Sequence, residues 1–115
     1  MVPPELVRTL ALALPQAVEG AHHGHADFRV HGKIFATLRP EAGVAVVRLP
    51  AIDQEALLAS EPASFATNAW SKQGWLEVRL AAVSSERMRE ALEAAWSHVA
   101  PERLVARHDA ARRNR

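Results

Sequence analysis

At 115 residues, 49% of them apolar and 23% charged, the chain has the length of one domain and enough apolar material for an unstapled core. It contains no cysteine, which excludes disulfides, thiolate metal sites and cysteine nucleophiles. The net charge of +1 conceals a division: Arg103, Arg107, Arg112, Arg113 and Arg115 stand against Asp109 alone, so residues 103–115 carry +4 and residues 1–102, with nine basic and twelve acidic groups, carry −3.

The start, Met1-Val2-Pro3-Pro4-Glu5, lacks the charge pattern of a secretory signal, and no apolar run approaches the roughly 18 residues of a membrane span. Cytoplasm is the expected compartment, with no membrane partner. Residues 4–14 read as a first helix, with Pro4 in the first turn, Glu5 on the helix dipole and Leu6, Val7, Leu10 and Leu14 at helical spacing. Pro15 ends it. Gln16 to His25, with two glycines and three histidines, reads as a loop.

Phe28–Val30 and Lys33–Arg39 read as two strands around a turn at His31-Gly32. In the second, Ile34, Ala36 and Leu38 alternate with Lys33, Phe35, Thr37 and Arg39. A two-residue loop sets Val30 beside Lys33; a three-residue bulged loop sets it beside Ile34 and gives the cleaner core. Val44–Leu49 is a third strand. A short helix over Ile52–Ser60 follows, its inward stripe including Ile52, Leu57 and Leu58, and Pro62 ends it. Phe65–Asn68 is a short fourth strand. Trp75–Leu80 is a fifth, with Leu76, Val78 and Leu80 on one side and Trp75, Glu77 and Arg79 on the other. Ser84 or Ser85 caps a last helix to about Val99, with Met88, Leu92, Ala95, Trp96 and Val99 as its apolar stripe.

The order α-β-β-β-α-β-β-α makes an α+β fold, an antiparallel five-stranded sheet covered by three helices. Residues 1–102 form a single domain, and 103–115 form a basic C-terminal tail, helical or frayed.

Three segments resemble a known family. Phe28-Arg29-Val30-His31-Gly32-Lys33-Ile34-Phe35-Ala36 resembles the F-x-V-x-G-K-I-F-A hairpin of the MmcQ/YjbR family. Trp70-Ser71-Lys72-Gln73-Gly74-Trp75 is similar to its aromatic-Lys-x-Gly-Trp segment, and Ser84–Pro101 to its closing helix. The likeness spans approximately residues 4–104. It implies a topology akin to secretion chaperones and frataxin-like proteins, and a DNA-binding role through a double wing of strands. It brings no catalytic motif.

Lys33 and Lys72 lie in turns beside strands, with Trp75 as a stacking platform, and Arg29, Arg39, Arg48 and Arg79 extend the basic set where strand registers agree. The alternative is a solvated sheet face whose lysine stems cover apolar surface. The negative balance of residues 1–102 weighs against strong phosphate binding, the more so where Glu41, Glu77 and Asp27 share the face. His22, His23 and His25 are weak candidates for a metal, because neighbouring side chains diverge and structural zinc sites want four ligands at wider spacing. His25 with Asp27, or His31 with Glu77, would supply a base and its orienter, but no serine sits in a nucleophile motif and no phosphate-binding loop occurs. The expectation is a non-enzymatic protein without cofactor that binds DNA or other nucleic acid. A protein-interaction or chaperone-like module is the alternative, and a histidine-loop metal protein the third reading.

Overall fold

The computed structural model describes residues 1–114. Its sheet has six antiparallel strands rather than five, and four helices rather than three accompany it. In chain order these are α1 (Pro4–Leu12), β1 (Ala17–His22), β2 (His25–Val30), β3 (Lys33–Arg39), β4 (Val44–Arg48), α2 (Ala51–Ser60), β5 (Phe65–Ala66), β6 (Trp75–Arg79), α3 (Ser85–Val99) and α4 (Glu102–Arg113). The strands lie side by side as β1-β2-β3-β4-β6-β5.

The additional strand is β1, within the segment expected as a loop. Two His-Gly dipeptides, His23-Gly24 and His31-Gly32, have positive φ at both residues. That is the signature of a type I′ turn, whose twist matches the strands it joins. The two turns fold β1, β2 and β3 into consecutive hairpins, with His22 opposite His25 and Val30 opposite Lys33. The His31-Gly32 loop therefore has two residues, not three. The bulge falls further along β3: Phe28 faces Ala36 while Arg29 faces Ile34, so Phe35 is the extra residue. This shift reverses the expected alternation before the bulge only, since Ala36 and Leu38 keep the core side and Thr37 and Arg39 the other. Phe35 turns into the core, fully buried, and Ile34 turns to the opposite side.

One side of the sheet packs against α3 and α1, around Phe28, Phe35, Leu38, Leu76, Met88, Leu92 and Trp96. Ser84 Oγ accepts from Arg87 N–H at 3.1 Å and caps α3. In α2 Leu57 and Leu58 pack half-buried against the core as expected, but Ile52 is 74% exposed and the buried residue is Gln54. The Gln54 amide donates to the carbonyls of Leu49 (2.9 Å) and Ser71 (3.3 Å), stapling α2 to the end of β4 and to the turn before β6.

Residues 102–113 form α4, the helical alternative for the tail. Leu104 is buried, His108 Nε2 meets Glu93 at 2.7 Å, and Arg112 reaches the same carboxylate at 3.1 Å. Arg115, counted in the basic tail, lies outside the described residues. No helix among the described residues is long and apolar enough to cross a membrane.

Candidate functional site

The side of the sheet away from α1 and α3 is open. Strand registers arrange its side chains in three rows. The middle row runs Gly20, Asp27, Thr37, Val46, Glu77 and Ala66 across all six strands. On one flank Val44 lies between Arg39 and Arg79. On the other, Arg48 pairs with Trp75, and the Arg48 guanidinium sits 5.3 Å from the indole centroid, a cation–π contact. Arg29 opposite Ile34 continues that flank.

The hairpin end at His22 and His23 and the segment Asn68–Trp70 border this face as two walls. Between them lies a cleft of about 580 Å³, with Ile34, Thr37, Val46 and Trp75 on its floor. Thr37 and Val46 are each 8% exposed, so the floor is recessed, whereas Trp70 in the wall is 60% exposed. A second cleft of about 570 Å³ opens at the sheet end, where Lys33, Arg48 and Trp75 meet His98 of α3.

The structure thus brings six of the seven sequence-chosen residues to this region. Trp75, Arg39 and Arg79 line or flank the open face, Arg29 lies on the flank opposite Ile34 and is bonded to Asp27, and Lys33 and Arg48 line the second cleft. Lys72 lies in the turn Ser71–Gln73 leading into β6, at the same sheet end as Trp75 but outside both clefts. Asp27 and Glu77 do share the face. Asp27 is fully buried and spent internally: Arg29 donates to it from Nε at 2.8 Å and from Nη2 at 3.0 Å, and His22 Nδ1 lies 2.8 Å away. The Arg29 bonds hold the Asp27 carboxyl below its ordinary range against the opposing effect of burial, and His22 adds to the lowering. Glu77 is the acid left in the cleft floor, and Glu41 at the rim lies 3.6 Å from His25.

Charge is segregated rather than merely averaged. Arg29, Lys33, Arg39, Arg48, Lys72 and Arg79 occupy the open face or its border, against Asp27, Glu41 and Glu77. The other nine acids of residues 1–102 lie on the helical side or on α2, where the remaining bases, Arg8, Arg87 and Arg89, are each paired to carboxylates. The −3 of residues 1–102 is therefore the sum of +3 on the open face and its border (six bases, three acids) and −6 on the helical side and α2 (three bases, nine acids).

The histidines diverge. His22 is oriented by Asp27, His25 turns toward Glu41, and His23 stands edge-on to His22 at 5.4 Å. No group of three ligand side chains converges among the described residues. Of the two base–orienter pairs considered from the sequence, neither forms: Asp27 takes His22 rather than His25, and His31 pairs with Gln16 at 2.6 Å rather than with Glu77. The sequence reading missed His22–Asp27–Arg29, the Trp70 wall and His98. The repeated His-Gly turn was the signal for the first, since it sets residues 22 and 27 on one face.

Gly20 is part of this arrangement. A Cβ there would lie 2.8 Å from Asp27 Oδ1 and 3.1 Å from Arg29 Nε, and that carboxylate is pinned by three bonds. Gly20→Ala is expected to cost about 1–3 kcal/mol in urea unfolding, the usual range for overpacking.

No curated protein matches the chain. Among solved structures it is similar to the Deinococcus radiodurans protein DR2400, described by the domain DUF419: TM-score 0.75, 20% identity, covering 86% of this chain and 79% of that one. At that identity the likeness bears on fold. The YjbR family model matches residues 12–98, a span that runs from the end of α1 through β1–β6 to the last turn of α3. The chain belongs to the YjbR family.

Proposed function

We propose that the open sheet face binds nucleic acid, DNA being the first candidate, and does so without catalysis or a cofactor. The observation that carries this reading is the segregation of charge. Six of the nine bases of residues 1–102 lie on the open face or its border, Arg29 among them already paired with Asp27, beside a recessed floor that carries Trp75 and a wall that carries Trp70, while nine of the twelve acids lie elsewhere. Flanking rows of arginine suit phosphates, and the recessed floor with Trp75 suits the faces of bases. Glu77 repels phosphate from the middle of the floor, which favours contact there by a base rather than by the backbone.

Fluorescence anisotropy with labelled DNA at low and moderate salt tests the reading. Binding is expected at about 50 mM salt and should weaken steeply by about 200 mM. The double reversal Arg39→Glu with Arg79→Glu, both at exposed positions, is expected to abolish it. Absence of binding at the lower salt, or binding indifferent to salt, removes the proposal.

A protein-interaction or chaperone-like role is the second reading. It is favoured by β1, a six-residue strand at the sheet edge with Val18 56% exposed, a place where an extended partner segment can add. A stoichiometric partner retained after nuclease treatment would support it over the first.

A further inference from the structure

The two clefts share residues: Ile34 and Trp75 line both. They therefore adjoin along those residues, beside the Arg48–Trp75 pair, and make up a depression in two portions, one on the open face and one at the sheet end. The portion at the end differs chemically from the first. Its lining includes Lys33, Arg48 and His98 and no carboxylate, whereas the first portion contains Glu77. The C-terminus of α3 presents a weak negative pole nearby, which two full cations outweigh.

We propose that this depression is a track for single-stranded nucleic acid, with a backbone phosphate seated among Lys33, Arg48 and His98. The inference rests on the reading of the open face above and specifies its substrate. Three observations favour a single strand over a duplex. The floor is recessed between walls, with Thr37 and Val46 nearly covered. Its volume of about 580 Å³ matches a small-ligand site, room for one or two splayed bases. The Arg48 guanidinium on Trp75 offers a flat surface that an unpaired base can extend, and bases within a duplex present no such free face. The phosphate seat then lies one step beyond the stacked base, where acid is absent.

The test uses the full chain and a labelled oligo(dT) of about 12 nucleotides, within the usual span of single-strand sites, beside the same strand annealed to oligo(dA). The variant Lys33→Ala with His98→Ala removes two surface side chains, and a thermal melt checks that its fold is intact. Tighter binding of the single strand than of the duplex is expected. The variant should lose roughly tenfold in affinity for the single strand, and its plot of log affinity against log salt should be shallower by about one to two. A folded variant whose single-strand affinity stays within twofold of the parent overturns the seat. Duplex bound as tightly as single strand overturns the track but leaves nucleic-acid binding standing; no binding of either removes both.

Discussion

Replacing Asp27 with alanine is expected to lower stability by about 2–3 kcal/mol at neutral pH. Removing one member of a buried ion pair costs roughly 3–5 kcal/mol when the other is stranded. Here the stranded Arg29 side chain is 35% exposed, and water recovers part of its solvation. The loss also frees His22, so the hairpin wall of the cleft should loosen. Asp27→Asn keeps the shape and some hydrogen bonding and is expected to cost less. The pH dependence has a definite sign. The folded carboxyl titrates below its unfolded value near 3.8, so its contribution is complete above that pH and disappears as pH falls through the lower folded value. Urea unfolding of parent and Asp27→Asn should therefore differ most at neutral pH and converge in acid below about 4. A gap that stays constant down to the acid limit would show that the ion pair contributes nothing.

The second large effect belongs to Trp96. Its side chain is completely buried, its indole N–H donates to the Pro15 carbonyl at 3.0 Å, and the His108 ring stands edge-on 5.0 Å away. One side chain thus ties α3 to the link between α1 and β1 and provides a seat for α4. Trp96→Ala is expected to cost about 3–5 kcal/mol, the range for emptying a large aromatic site. Trp96→Phe refills much of the volume and is expected to cost less, chiefly for the Pro15 carbonyl left without its donor. Urea denaturation measures both, and trypsin should cut the arginines of α4 faster in the alanine variant. If Trp96→Ala costs under about 1 kcal/mol, the role given to this residue is wrong.

Residues with one dominant environment were legible in the sequence. The α3 stripe, the Ser84 cap and the alternation of Leu76 and Val78 with Trp75, Glu77 and Arg79 stand as the spacing foretold. The misreadings have local causes. Strand β1 is an edge strand, mostly exposed, so its residues Ala17–His22 carry no core pattern; only the His-Gly turn beside them speaks. The bulge at Phe35 is invisible to a two-residue period, because one inserted residue exchanges the faces of everything before it. Ile52 misled because only the Leu57–Leu58 end of α2 meets the core, while its first turn is held by Gln54 on backbone carbonyls and leaves Ile52 outside. Of the site, residue types were legible but their grouping was not. That grouping depends on registers: those that set Arg39 and Arg79 beside Val44 also send the negative charge to the other side.

That division of charge, which the arginines of α4 anchored on α3 partly offset, leaves the molecule a dipole directed across the sheet. A polyanion then exerts torque as well as pull, turning the protein sheet-first during approach although its total charge is almost nil. The productive fraction of collisions is raised before any contact forms. Reversing Arg39 and Arg79 together would shrink that dipole and with it the encounter rate, while a neutral change on α4 would leave the orientation of approach largely as it was.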